Sequence, residues 1–320
     1  TATGQEVFHN YFGPFNEGFL YAPAGDLEAL TELVDRHTCA VMLELVQGEG
    51  GVVALDPEYV QAVRKLCDEK DLVLIVDEVQ TGVGRTGTFL CCEHYNLKPA
   101  VVTLAKGLGG GLPIGAVLMN AKVAEGMGAG THGSTFGGNP VVCAGANVVV
   151  DRMDQSFLAN VNERAVQLRT GLAKLPMVKS ISGIGLMVGI EFYDVTAADV
   201  LAACREKGLL VLTAKTRLRL LPPLTVSEHE VDMALEGLAE GLGCTDPVSS
   251  PTFAIVNYYR GPRPLAHFDL YRISTENDLC AAGFYDYLDQ GAVVAAEWSE
   301  NFADLLALEN PIRVNIERLD

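Results

Sequence analysis

The sequence predicts an α/β protein that continues into an α+β segment and ends in a short β-rich one. Three observations carry that prediction. The apolar runs Val41–Val46, Leu72–Val76 and Val101–Leu104 have strand length, too short for buried helices. Between the first two, residues 57–70 repeat apolar side chains at helical spacing. The second and third runs end in polar, glycine-rich segments, as strands do where an open sheet presents its ligand-binding edge.

Val41–Val46 is the first predicted buried strand. Asp56 then offers a helix cap, and Pro57 fits the first helical turn, where its missing N–H costs nothing. Val60, Val63 and Leu66 share one face, so a helix over 57–70 is predicted. Leu72–Val76, Val101–Leu104 and Gly115–Met119 are the next buried strands, giving a βαβ alternation. A helix from about 160 to 175, a strand over Ile184–Glu191 and a helix over Ala197–Lys207 make the α+β segment. Short strands around Ala254–Asn257, Leu265–Leu270 and Val293–Glu297 follow. The predicted domains are 1–150, 151–243 and 244–320.

Composition narrows the function classes. The chain has 320 residues, 49% hydrophobic and 20% charged, enough for two or three cores and without a disordered signature. A net charge of −18 argues against a surface that tracks nucleic-acid phosphates, so no direct nucleic-acid binding is expected. Eight scattered cysteines, without a CxxC pair or a histidine at ligand spacing, read as reduced thiols of a cytoplasmic protein with no metal site. No apolar run approaches about 18 residues and no leader opens the chain, so no membrane partner is expected.

Chemistry concentrates at two strand ends. Lys106 follows Val101–Leu104 and opens the glycine-rich stretch Lys106–Gly111; Asp77 ends Leu72–Val76. An amine that can hold an aldehyde as a Schiff base, and a carboxylate that can keep a pyridine nitrogen protonated, are the two groups pyridoxal 5′-phosphate requires. Spacing alone leaves a second reading open, in which Lys106 is a surface lysine and Asp77 a helix cap.

Five segments break that tie: Glu44–Val52, Asp77–Gly87, Leu104–Ala116, His132–Pro140 and Arg219–Leu224. In this order they resemble the class III pyridoxal-phosphate-dependent aminotransferases, most closely the acetylornithine/ornithine branch. One departure is Leu45, where the family usually has proline. The resemblance implies a fold-type-I PLP-transferase large domain and an α+β C-terminal small domain. It implies that Lys106 forms the Schiff base and shuttles a proton, Asp77 pairs with the ring nitrogen, Gln80 bonds the ring hydroxyl, and Thr135 reaches the cofactor phosphate of a neighbouring subunit, making a homodimer with a shared site. Arg219 would clamp the substrate α-carboxylate through a bidentate pair, and Glu49 would hold that arginine off when the side-chain carboxylate of 2-oxoglutarate must be accepted instead. By residue type alone the plainer readings are favoured: Gln80 and Thr135 as turn residues, Arg219 as a surface arginine on an edge strand and Glu49 as a solvated loop charge.

The chain opens at Thr1 with text resembling the middle of the family's large domain. The resemblance therefore implies an N-terminally truncated member without the Ser-Gly-Ala phosphate cradle or the aromatic ring stacked on the pyridine, and weak cofactor retention.

After about residue 243 the motifs change. Asp246–Asn257, His267–Arg272 and Ala296–Glu300 resemble the TsaE family, the small P-loop ATPases of tRNA threonylcarbamoyladenosine (t6A) synthesis. By that resemblance Thr252 belongs to a nucleotide-sensing loop, Asp269 lies near magnesium, and Glu297 and Trp298 flank the nucleotide. No Gly-x-x-x-x-Gly-Lys-[Ser/Thr] is present, so this is a P-loop-NTPase-like fragment that ATP and magnesium are not expected to bind well. Its remaining role would be contact with t6A-pathway proteins; the bland alternative is an amphipathic tail without chemistry. The join falls in Leu235–Gly243 and fits a deletion, a gene fusion or an assembly artefact alike. Two readings of the whole chain result. One is an aminotransferase moving an amino group from N-acetylornithine, or an ornithine-like ω-amine, to 2-oxoglutarate in arginine biosynthesis. The other is a catalytically dead chimera acting as an interaction module.

Overall fold

The computed structural model describes residues 2–243, 256–259, 264–270, 273, 275–297, 299 and 302–306. The chain divides into two compact units, Thr1–Pro247 and Val248–Asp320.

In the first unit, α1 (Leu27–Leu33) leads to β1 (Ala40–Leu43), a ribbon of β2 (Val46–Gln47) and β3 (Val53–Ala54), then α2 (Pro57–Lys70) and β4 (Val73–Asp77). The α2 start is the predicted one: the Asp56 carboxylate accepts from Glu58 and Tyr59 N–H, and Val60, Val63 and Leu66 are buried. Next come β5 (Val101–Leu104), β6 (Ala116–Met119), α3 (Ala121–Ala124) and α4 (Pro140–Arg152). The sheet order is β1-β4-β5-β6, with β1, β4 and β5 parallel and β6 antiparallel to β5. Leu45, Val60, Val63, Cys67, Leu74 and Val76 fill the core against α2. Leu45, the departure from proline, is fully buried there, and its carbonyl accepts from Leu55 N–H at 2.9 Å.

Two expectations are corrected here. β6 is not a buried strand: Val117 is 56% and Leu118 47% exposed, because β6 is the sheet edge. The single strand expected over Ile184–Glu191 is two arms of a hairpin, β7 (Val178–Ile184) and β8 (Met187–Phe192), turning at Gly185 in left-handed backbone (φ +57°). The first arm, with Lys179, Ser180 and Ser182, carries too little apolar pattern to read as a strand. Helix α4 has no predicted counterpart. Its cap is orthodox, Asn139 accepting from Val141 and Val142 N–H, but Ala146 is its one buried residue, so no apolar face marks it.

The rest of the unit is α5 (Gln155–Ala173), α6 (Ala197–Glu206), β9 (Leu212–Ala214), β10 (Arg217–Leu220) and α7 (Glu228–Gly241), against an antiparallel sheet β7-β8-β10-β9. α5 begins earlier than the predicted 160 because Asp154 caps it, accepting from Phe157 N–H at 2.8 Å. Val231, Leu235, Leu238 and Ala239 of α7 are buried, and Leu235 sits against Gly171 of α5, where a Cβ would collide with it.

In the second unit, β11 (Val256–Tyr259) pairs antiparallel with β12 (Leu265–Asp269), which pairs parallel with β13 (Val293–Glu297). α8 (Glu276–Ala281) and α9 (Phe284–Asp289) precede β13, and α10 (Ala303–Leu306) follows it. Phe268 and Phe284 centre a separate core, their rings 5.0 Å apart. No described helix is long and apolar enough to cross a membrane.

Candidate active site

Three strand ends build the site. Leu43 is level with Val76 and Asp77 with Thr103, so Glu44, Asp77 and Lys106 leave the parallel strands β1, β4 and β5 at one carboxyl edge. Asp77 is oriented through one oxygen: Val79 N–H (2.9 Å) and the Thr103 hydroxyl (3.0 Å) both donate to Oδ1. The cap-like bond to Val79 is what the alternative reading asked of Asp77, yet among the described residues nothing donates to Oδ2, which stays available as an acceptor. Lys106 begins a 3-10 turn with left-handed backbone (φ +46°), uncommon for a residue with a Cβ. It stands exposed at a cavity of about 310 Å³ whose walls include Val79, Gln80, Val83, Arg85, Met153 and Leu221.

The turn after β1 organises the polar side. Gly48 N–H donates to the Glu44 carboxyl. The Gln80 amide lies so close to the Gly48 α-carbon that a Cβ there would collide with it. Glu49, next in the chain, bonds Arg219 through Oε1 and Nη1 at 2.6 Å. Arg219 is 8% exposed, and β10 lies between β8 and β9, so it is a buried arginine of an interior strand, not a surface arginine on an edge. Its Nε is buried without a partner among the described residues. Burial, with Asp77 and Glu49 nearby as like charges, pushes the Glu44 carboxyl up to about 7, against the opposing pull of Lys106.

The structure thus brings Asp77, Gln80, Lys106, Glu49 and Arg219 to one region of the first unit. Thr135 is exposed between α3 and α4 and is not a wall of the cavity. Asp269 and Glu297 are register partners at the ends of β12 and β13 in the second unit. Thr252 and Trp298 lie outside the described residues. Among the described residues no cluster of His, Cys, Asp and Glu could hold a metal ion.

Sequence reasoning gave no role to Glu44, Glu78 or Arg85. Glu44 fell inside the single strand expected over Val41–Val46, but β1 ends at Leu43 and β2 starts at Val46, which puts Glu44 one residue past the strand. Glu78 is 1% exposed and accepts from Cys91 N–H (2.6 Å), Cys92 N–H (2.8 Å) and the Thr81 hydroxyl (3.0 Å). Burial and the Glu78 charge push the Cys92 thiol up to about 12. Arg85 donates from Nη1 to the carbonyls of Leu186 (3.2 Å) and Pro222 (2.6 Å), and burial lowers it to about 10.

Known proteins share sequence and fold with this chain. Residues 1–242 match the class-III aminotransferase family, and residues 233–320 match the threonylcarbamoyl adenosine biosynthesis protein TsaE. The shared stretch, 233–242, lies largely in α7, whose buried residues pack within the first unit. An acetylornithine aminotransferase from Haemophilus ducreyi is 52% identical over 243 residues, covering 75% of this chain and 62% of the relative. Among solved structures, an ornithine aminotransferase from Toxoplasma gondii superposes with TM-score 0.69 at 35% identity, covering 74% of this chain and 58% of its own. The N-acetylornithine aminotransferase of Stenotrophomonas maltophilia gives TM-score 0.65 at 35% identity, covering 72% and 63%. The chain therefore spans less than two thirds of the length of these relatives. With one family matched across residues 1–242, on a fold shared with its solved members, the chain belongs to the class-III aminotransferases.

Proposed function

We propose that this chain carries the pyridoxal-phosphate site of an acetylornithine-type aminotransferase, moving an amino group from N-acetylornithine to 2-oxoglutarate in arginine biosynthesis. The observation that carries the reading is the placement of Asp77 and Lys106 at adjacent parallel strand ends, with Asp77 Oδ2 unclaimed. The donor set fits the group: a carboxylate oxygen for the ring nitrogen, the Gln80 amide for the ring hydroxyl and the Lys106 amine for the aldehyde. When bound, pyridoxal phosphate supplies that aldehyde and an electron sink.

The chain's own residues do the rest. Asp77 is fixed through Oδ1, and its Oδ2 would be the oxygen left to hold the proton on the ring nitrogen. The Gln80 amide lies against Gly48, and it would be the group to bond the ring hydroxyl oxygen. Lys106 Nζ holds and returns the proton exchanged with substrate. Arg219 offers a planar fork to a substrate carboxylate, and Glu49 neutralises that fork when no carboxylate is present. Thr135 is exposed, which leaves it free to meet the cofactor phosphate of a second copy in a cytoplasmic homodimer with a shared site, the role the family resemblance gives it. Ornithine and other ω-amines would present the same amine to Lys106, so the acetylated donor rests on the named relatives.

The test is a spectrum. Full-length protein with pyridoxal phosphate should develop an imine absorbance band that shifts on adding N-acetylornithine, and no band would overturn the reading. Arg219→Lys keeps the charge but loses the bidentate geometry. It should weaken 2-oxoglutarate binding by roughly 1.5–3 kcal/mol, read as the ligand concentration that half-saturates the spectral change.

The second unit supports a second, separate reading as a contact module for t6A-pathway proteins, because it has its own core and matches the TsaE family. Residues 244–320 contain no lysine and no Gly-x-x-x-x-Gly-Lys-[Ser/Thr] to take up the phosphates. Calorimetric titration of the full chain with Mg-ATP should show no saturable micromolar binding, and such binding would restore a nucleotide function to the segment.

A further inference from the structure

The two ends of the proposed site lie on different sheets of the first unit. Lys106 and Asp77 leave the parallel strands β5 and β4, whereas Arg219 lies on β10 of the antiparallel sheet, and the two sheets share no strand. A ligand held at both ends therefore needs the sheets fixed against each other. Arg85, in the turn after β4, makes that link. Its Nη1 donates to the Pro222 carbonyl at 2.6 Å and to the Leu186 carbonyl at 3.2 Å, and its own carbonyl accepts from Leu186 N–H at 3.1 Å. Pro222 follows shortly after Arg219 in the chain, and Leu186 directly precedes β8, where Gly189 and Val188 are level with Arg219 and Leu220. One guanidinium thus holds both the end of β10 and the start of β8.

Both sides of the link are braced. A Cβ at Gly185, in the β7-β8 turn, would lie 2.5 Å from the Thr86 carbonyl carbon, so the two turns are in backbone contact. His94 bonds the Thr86 carbonyl at 2.9 Å, and the Asn162 amide of α5 donates to the Gly87 carbonyl at 3.0 Å. From α5, Arg169 Nη2 donates to the carbonyls of Ser182, Gly185 and Met187 at 3.3, 3.4 and 3.4 Å. Arg85 also walls the cavity at which Lys106 stands, together with Leu221 and Leu224 from the stretch after β10.

We infer that Arg85 is a positioning residue: by binding the Leu186 and Pro222 carbonyls it sets where the Arg219 fork stands relative to Lys106. A guanidinium suits the task because it keeps its charge when buried, is more weakly hydrated than an ammonium, and makes charge-assisted bonds stronger than neutral ones. The link needs only this chain, but its use in amino transfer rests on the proposed pyridoxal-phosphate function.

The experiment is calorimetric titration of the cofactor-free full-length protein with glutarate, a dicarboxylate that meets Arg219 without forming an imine at Lys106. Arg85→Met keeps an unbranched stem on the cavity wall and removes the donors. It should weaken glutarate binding roughly three- to tenfold, the size of one hydrogen bond's worth of misplacement. Arg85→Lys keeps the charge but not the planar fork and should recover part of the loss, an arm that stands even where Arg85→Met does not fold. In an Arg219→Lys background, Arg85→Met should cost no more than about twofold further, because a fork already lost cannot be misplaced. The imine band formed with pyridoxal phosphate should stay within about twofold of wild type in Arg85→Met, because Lys106 and Asp77 are held by the other sheet. Unchanged glutarate affinity in Arg85→Met, no glutarate binding by wild type, or complete recovery in Arg85→Lys would overturn the inference. So would an equal loss in both backgrounds, the mark of a cation acting at a distance, or a parallel loss of the imine band, the mark of general loosening. The two proposals fail separately. A wild type without any imine band removes the proposed function and leaves the glutarate series standing, whereas a band with a flat glutarate series does the reverse.

Discussion

Lys106→Ala is expected to abolish the imine band that the protein forms with pyridoxal phosphate, to the limit of detection. Lys106 is the lysine at the carboxyl edge of the parallel strands, beside Asp77, and its left-handed backbone holds the side chain at the cavity. Other lysines with resolved partners are engaged on the surface, Lys122 with Asp71, Lys179 with Glu191 and Lys207 with Glu240. Borohydride reduction followed by peptide mapping should trap the cofactor on Lys106 alone in the wild type. Trapping on another lysine, or an unchanged band in the variant, would remove Lys106 from the centre of the site.

The largest expected effect on stability is at Glu78. Its carboxylate closes the turn that carries Asp77 onto the Cys91–Tyr95 turn, accepting two backbone N–H groups and one hydroxyl in a place that is 1% exposed. Glu78→Ala leaves three buried donors, two N–H groups and the Thr81 hydroxyl, without that partner, at about 1–3 kcal/mol each, so a loss of at least about 3 kcal/mol is expected. That corresponds to a fall in Tm of roughly 10 °C for a unit of this size. Glu78→Gln retains one acceptor oxygen and should lose about half as much. A thermal melt of Glu78→Ala within a degree or two of wild type would show that the carboxylate does not hold these turns together.

What could be read in advance follows from where the signal lives. Helix α2 announced itself because cap, first-turn proline and apolar stripe coincide within one segment. Asp77 and Lys106 stood out as candidates, and the structure places both at the carboxyl ends of parallel strands, where the apolar runs put them. The β7-β8 hairpin was misread as one strand because its turn, Gly185 and Leu186, sits inside apolar text and its first arm is half polar. α4 went unseen because it buries little of itself within this chain, leaving Val141 71% and Val148 55% exposed. The Glu49–Arg219 contact spans 170 residues, a pairing local pattern cannot show, and only the family resemblance supplied it. Glu78 looks identical to its neighbour Asp77 in sequence. Their opposite fates, one sealed into the fold and one left with a bare oxygen, are decided by the alternation of a strand end.

The Arg219–Glu49 pair would make ligand capture, under the proposed function, an ion exchange. Arg219 lies on an interior strand of a four-stranded sheet, whereas Glu49 sits in a turn with its side chain 42% exposed. An incoming carboxylate would then not fill a vacancy; it would displace a resident counter-ion, the exposed partner being the one free to leave. The apparent affinity would be the difference between two carboxylates competing for one guanidinium.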